Sequence, residues 1–282
     1  MVNSGSLPFM KLVSQVTDPY ERQARLYPAL ISISPLLVMI IVLYQEQLSK
    51  FHTLLFSLVS CGGLFLMSDI ARRRGKMKEK SLWASWGGVP SVQVLRYSDD
   101  TFDDVSTSRY HAILSKKIGV KFPSQQDEHK NPQDADKVYA SAGNYLRTAT
   151  RDTQKFHLIF KDNISYGFRR NGYGLKTIGV TLCFICIIWV VIRHGIDSVV
   201  ARLHLASGFE SLLLPEEWVT SGISLLMLFI WLLVFTQSAL REAGFSYAEK
   251  LIHACEMLPE TTNPKPRAKK KKSTSEHEII LS

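Results

Sequence analysis

The chain has 282 residues, a net charge of +9 at neutral pH and an isoelectric point near 9.3. A mean hydropathy of +0.02 conceals apolar runs that alternate with strongly charged stretches, which excludes an ordinary single-core soluble domain. The basic balance favours an anionic partner, whether lipid headgroups, nucleotides or nucleic acid. Three of the four cysteines (Cys61, Cys183, Cys186) lie inside apolar runs, so there is no disulfide framework.

Residues 1–27 are polar and mixed in charge. They lack the basic start, short apolar core and small-residue cleavage site of a signal peptide, and are expected on the cytosolic side. Within them, residues 18–26 predict a short helix capped by Asp18, with Pro19 at its first position. Residues 28–69 hold the first two expected membrane spans. The first, 28–44, is interrupted by Ser32, Ser34 and Pro35 and is close to the roughly 17-residue minimum. A short link forces the second, 51–67, to return antiparallel, with Ser57, Ser60, Cys61, Gly62 and Gly63 as a small-residue packing side.

The basic run that follows, with Arg72, Arg73, Arg74, Lys76, Lys78 and Lys80, fixes that end of the span in the cytosol. It opens a cytosolic module, residues 70–173, in which 19 basic residues stand against 11 acidic ones, accounting for nearly all the net charge. Trp83 and Trp86 suit the membrane interface, and Gly87-Gly88-Val89-Pro90 reads as a turn. Residues 92–97 fit a short strand or the start of a helix. A helix is expected from Ser108, with Tyr110, Ile113, Leu114 and Ile118 on one face. A second is expected over 134–150, with Val138, Tyr139, Ala142, Tyr145, Leu146 and Ala149 at helical spacing.

Arg169 and Arg170 close the module at the next membrane junction. Residues 174–240 hold a third span (174–192), an outer loop with an amphipathic stretch (196–214) and a fourth span (219–235). Residues 241–282 return to the cytosol as a helix and a polybasic tail containing Lys269 to Lys272. The expected fold is predominantly α: a four-span helical integral membrane protein with a mostly helical cytosolic module between spans 2 and 3. It would reside in the inner (plasma) membrane with both termini cytoplasmic.

Chemistry is sparse. The acidic stretch 98–104, followed by His111, offers oxygen ligands for a hard cation, but acids at a helix start explain it as well. Cys183-x-x-Cys186 reads as two small packing residues. The eight histidines form no metal-ligand spacing, and there is no phosphate-cradling glycine loop or nucleophile elbow. No catalytic residue, metal or cofactor is expected, and the chain reads as a non-enzyme. No Asp, Glu, Lys or Arg occurs within 28–44, 51–67, 179–192 or 219–235, which argues against ion-coupled transport. Arg72, Arg73, Arg74, Arg169 and Arg170 suit anionic lipid at the junctions. Arg96, Arg109, Lys116, Lys117, Arg147 and Arg151 lie far from those junctions in sequence. If they converge in an oligomer they form a basic chamber for phosphates, with Tyr97, Tyr110, Tyr139 and Tyr145 as stacking faces.

Two stretches carry a resemblance: residues 163–171 (Asn-Ile-Ser-Tyr-Gly-Phe-Arg-Arg-Asn) and Gly87-Gly88-Val89-Pro90. They resemble bacterial inner-membrane proteins that accompany phage-defence genes. The overall plan, mainly over residues 70–240, is similar to the membrane effectors of nucleotidyltransferase-linked defence, including the Hailong type. That resemblance implies a homo-oligomeric ion channel in the lipid bilayer, gated by a nucleotide or oligonucleotide. It also implies a signal-producing nucleotidyltransferase encoded alongside. The alternative is a non-enzymatic membrane scaffold that recruits a cytosolic partner through the module or the tail.

Overall fold

A computed structural model describes residues 18–48, 50, 62–205, 208 and 211–259. Helices make up about 82% of it and no strand occurs among the described residues, so the tertiary packing is helix against helix.

The first helix, α1 (Glu21–Leu43), begins with a π-wound turn over Glu21–Leu26. Asp18 holds its start by accepting from the backbone N–H of Tyr20 (2.7 Å) and Glu21 (3.1 Å), as the cap signal predicts. Pro35 lies inside the helix, and its missing N–H orphans the carbonyl of Ile31 one turn back. The Ser34 hydroxyl donates to that carbonyl at 2.9 Å, so the helix runs on without a break.

The expected second span, 51–67, lies mostly outside the described residues. Its described end enters α2 (Leu64–Trp86), which carries the basic run from Arg72 to Lys80 as continuous helix. Gly87 (φ +90°) and Gly88 (φ +140°) end α2 in a turn that L side chains rarely adopt, and Pro90 starts the short α3 (Pro90–Gln93). Of the ambiguous stretch 92–97, residues 92–93 end this helix and 94–97 are turns and bends rather than strand. Three more helices complete this region: α4 (Asp104–Ile118), α5 (Gln125–Lys130) and α6 (Pro132–Ala149). α4 begins four residues earlier than expected because Asp103 caps it, accepting from Ser106 N–H at 2.9 Å.

The longest helix, α7 (His157–Ile192), is unbroken for 36 residues, so the expected lead-in over 163–173 and the third span are one rod. It is followed by α8 (Ile196–Leu205), α9 (Pro215–Leu233) and α10 (Gln237–His253), which ends in a 3₁₀ turn, Ala254–Met257. Among the described residues three helices are long and apolar enough to cross a membrane: Glu21–Leu43, His157–Ile192 and Pro215–Leu233.

α7 is the axle of the bundle, and its glycines show how closely its neighbours approach. Gly167 faces Ala24 and Tyr20 of α1, Gly172 faces Phe235, Gly174 lies against the α2 backbone at Arg74 and Gly75, and Gly179 faces the Trp231 indole of α9. Each missing side chain admits a different element. Trp231 and Phe235, both essentially inaccessible, fill the space between α7 and α9, and Lys176 donates to the Leu232 and Phe235 carbonyls at the end of α9. Cys183 and Cys186 are buried in this packing, as their sequence position indicated.

The second core lies beyond one end of the bundle. Leu95, Tyr110, Leu114, Tyr139 and Leu146 are buried together with Leu251 and Ile252 from α10. The segment after the last membrane-length helix therefore completes the module core begun by residues 92–159.

Candidate ligand-binding cleft

A cleft of about 460 Å³ opens where the module meets the bundle, a volume within the ordinary small-molecule range. Five helices line it. Glu79 and Trp83 come from α2, Asn144 and Arg147 from α6, Asn163, Tyr166 and Arg170 from α7, and Gly244 and Tyr247 from α10. Ser91 enters from α3. α7 continues directly into an apolar membrane-length segment, and α10 follows α9 after a short turn. A ligand here would touch module helices and the rods that lead to the bundle at the same time.

The floor is a buried polar cluster. Glu79 Oε1 accepts from the Tyr166 hydroxyl at 2.5 Å and lies 3.4 Å from Arg170 Nη1, and both charged side chains are about nine-tenths buried. Arg170 Nε donates to Asn171 Oδ1, and the Asn171 amide donates to the Ala24 carbonyl of α1 at 2.6 Å. The charges of Glu79 and Arg170 offset each other, which leaves Arg147 as the cleft's uncompensated cation. Its guanidinium donates to two neutral oxygens, Ser91 Oγ at 3.1 Å and Asn144 Oδ1 at 2.6 Å, and it makes no ion pair among the described residues. The Tyr166 and Tyr247 rings stack with an interplanar angle of 7° and centroids 6.3 Å apart. Burial raises the Tyr247 pKa, while the Arg147 charge pulls it the other way. One unpaired guanidinium beside flat aromatic walls suits a ligand that carries both an anion and a ring.

The other residues expected to bind a ligand do not converge in this chain. Arg96 forms a two-pronged contact with Asp136 (2.9 and 2.7 Å), and this hydrogen bond with its attendant charge raises the Arg96 pKa. Arg109 pairs with Glu256 at 2.7 Å. Lys117 donates to the Leu258 and Pro259 carbonyls, fastening the end of α10 to α4. Lys116 and Arg151 are exposed. Of the six, only Arg147 enters the cleft. Among the junction arginines Arg170 enters it from α7. Arg73 pairs with Asp69 on α2, Arg74 is exposed beside the α7 crossing, and Arg72 and Arg169 are half-buried.

The expected stacking tyrosines are mostly core. Tyr110 and Tyr139 are buried, and the Tyr139 hydroxyl donates to Glu128, whose presence together with burial holds the phenol well above its ordinary range. A second cleft of about 450 Å³ lies over Arg96, Tyr97, Glu128 and Asp136. There Asp136 pairs with Arg96, while Glu128 accepts from the Tyr97 backbone N–H as well as the Tyr139 hydroxyl. In the acidic stretch Asp99 and Asp103 accept from nearby backbone N–H groups, and among the described residues no three metal-ligating side chains gather.

Sequence reasoning missed Glu79, Tyr166 and Tyr247. The available signal was Glu79 itself, the single acid within the basic run from Arg72 to Lys80. No family model matches the chain, no curated protein matches it, and no solved structure matches its fold.

Proposed function

We propose that the chain is a membrane effector that assembles into an oligomeric ion channel and is gated by an anionic nucleotide or oligonucleotide signal. The observation that carries this reading is the position of Arg147 in a cleft built jointly by the module helices α3 and α6 and by the ends of α2, α7 and α10 next to the bundle. A ligand phosphate on Arg147 and a base against the Tyr166–Tyr247 wall would draw α6 towards α7. Because α7 is one unbroken rod, a displacement at Tyr166 is carried into its apolar half. The volume fits about one nucleotide unit, so an oligonucleotide would present one residue or an end to each cleft.

The three membrane-length helices among the described residues, even joined by the expected second span, enclose too little space for a pore, so a conduit requires several copies. Exposed apolar side chains on α7 (Phe184, Ile185, Ile188) and α9 (Leu225, Leu226, Phe229) supply faces for lipid and for a second copy. The module side is the cytosolic side in this reading, on the strength of its basic junctions. The resemblance to phage-defence effectors supplies the biological setting, an antiviral response driven by a nucleotidyltransferase signal.

The test is conductance of the full chain in planar bilayers, before and after addition of short oligodeoxynucleotides, oligoribonucleotides or mononucleotides. Ligand-dependent conductance is expected, with Arg147→Gln raising the half-maximal concentration about tenfold or more, the scale of a lost charged hydrogen bond. A silent bilayer with insertion verified, or an Arg147→Gln response identical to wild type, overturns the reading; silence would leave the scaffold as the better account.

A further inference from the structure

Below the cleft, and sharing Arg170 and Asn171 with its floor, three helices meet at one buried point. The Asn171 side chain of α7, fully buried, donates to the Ala24 carbonyl of α1. Gly75 of α2 presses on the same residue: a Cβ there would lie 3.0 Å from Asn171 Cα and 3.1 Å from the Arg170 carbonyl oxygen. Ala24 also packs against Gly167, one turn earlier on α7. The residue following Ala24 is Arg25, the residue following Gly75 is Lys76, and the residue preceding Asn171 is Arg170. Contacts made by small residues thus bring together three helices, each with a cation next to its contact residue, and the Lys76 of α2 is exposed beside the buried point. Arg72 adds a fourth, one turn before Lys76 on α2.

The charges do not cancel. Glu21 pairs with Arg25 and Glu79 with Arg170, while Arg72 and Lys76 have no carboxylate partner in the ion pairs of the described residues. The Arg25 Nε is buried without an acceptor. Lys76 registers the crowding: its pKa is lowered, first by Arg72, then by burial, then by Arg170, with Arg25 a smaller contributor and Glu79 opposing. A cluster with two surplus positive charges and an unmet guanidinium donor suits a phosphate.

Depth identifies the source. Ala24 precedes the α-wound part of α1 at Tyr27 by three residues, and Asn171 precedes the apolar run from Gly174 by the same number. Three residues of helix rise about 4.5 Å. In a bilayer that inserts those runs, the node lies at the headgroup layer, where anionic lipid phosphates reside. We infer that the α1–α2–α7 node, through Arg25, Arg72, Lys76 and Arg170, binds the phosphate of an anionic phospholipid headgroup. The inference rests on membrane insertion as proposed above, and not on nucleotide binding.

The experiment is native mass spectrometry of the full chain released from phosphatidylcholine nanodiscs containing a minor fraction of phosphatidic acid or phosphatidylglycerol. A parallel arm measures thermal protection in detergent by short-chain phosphatidic acid and by inorganic phosphate. Retained anionic lipid is expected for wild type and for Arg147→Gln, which separates this site from the cleft. Arg25→Gln/Lys76→Gln should weaken retention about thirtyfold, the scale of two lost basic contacts. The charge-retaining Arg25→Lys/Lys76→Arg pair should keep it, as should the distant control Lys130→Gln/Lys161→Gln. Protection by the lipid alone assigns the site to headgroups, and equal protection by inorganic phosphate assigns it to soluble phosphate and overturns the lipid source. Equal retention by wild type and Arg25→Gln/Lys76→Gln, with helical content unchanged by circular dichroism, overturns the site itself.

Discussion

Gly174 and Gly75 bring α7 and α2 into backbone contact: a Cβ on Gly174 would lie 2.7 Å from Gly75 Cα and 2.6 Å from the Arg74 carbonyl carbon. Main-chain atoms cannot rotate away as a side chain could, so Gly174→Ala forces the two helices apart. A loss of about 1–3 kcal/mol is expected, the usual scale of overpacking. Gly222, on α9, has nothing within 4 Å of its would-be Cβ. There Gly222→Ala should be neutral or stabilising by up to about 1 kcal/mol through helix propensity. Thermal unfolding of both variants in one detergent checks the contrast. A lower midpoint for Gly222→Ala would instead mark its face as a close contact between copies.

The buried Glu79–Arg170 pair predicts a non-additive mutant cycle. Glu79→Leu leaves Arg170 charged in a site about nine-tenths closed to water, and Arg170→Leu does the same to Glu79. Each should cost about 3–5 kcal/mol. Glu79→Leu/Arg170→Leu removes both charges, so the double variant should be more stable than the sum of the singles implies. The cycle is measured by denaturant unfolding, and strict additivity would mean that the two charges do not interact.

Glu217 predicts a local rather than a global effect. It is fully buried at the start of α9, and its carboxylate accepts from Leu214 N–H at 2.9 Å and lies 3.0 Å from Arg202 Nη1 of α8. Arg193 and His194, just after α7, lie within 3.5 Å and 3.2 Å of the other oxygen. This one carboxylate ties α8 to the ends of α7 and α9. Glu217→Gln removes the charge that holds Arg193 and Arg202, so α8 should detach before the bundle loosens. Hydrogen exchange should show faster exchange over 196–205 with 157–192 unchanged, and uniform loss across both would indicate a global role.

Helices α1, α4, α6 and α9 were legible in the sequence because helical periodicity is local. Asp103 ahead of α4 and Gly87 after α2 act within one turn of themselves. The continuity of α7 was not legible. Arg170 and Asn171 read as part of a junction, yet in three dimensions they are held by Glu79 and Ala24, which lie 91 and 147 residues away from their respective partners. The six expected cations are not gathered within one chain for the same reason. Net charge counts Arg96 and Arg109 as free, whereas Asp136 and Glu256 occupy them across 40 and 147 positions of sequence. Arg147 differs because its neighbours are neutral, and that is a property of packing, not of composition.

His111 gives the module a pH dependence whose sign follows from its burial. The ring is enclosed by Tyr139, Phe122 and Tyr97, and Nε2 donates to the Leu95 carbonyl at 2.7 Å, which leaves Nδ1 with no partner. Burial lowers the pKa below its ordinary 6.5, against the smaller opposing effects of the Leu95 carbonyl and Glu128. Above about pH 6.5 the imidazole is neutral in both folded and unfolded chains, and its stabilising contribution is complete. As the pH falls through that value the unfolded chain takes up a proton that the folded chain resists. Stability then declines until the folded pKa is reached, and is flat below it. Denaturant unfolding of the full chain in detergent between pH 7.5 and about pH 5 should therefore show a loss that His111→Phe reduces. Replacing the ring also removes the Leu95 hydrogen bond, so the variant should start lower at pH 7.5, and the slope with pH carries the test. A slope unchanged by His111→Phe would assign the acid sensitivity to other groups and place the folded His111 pKa near its ordinary value.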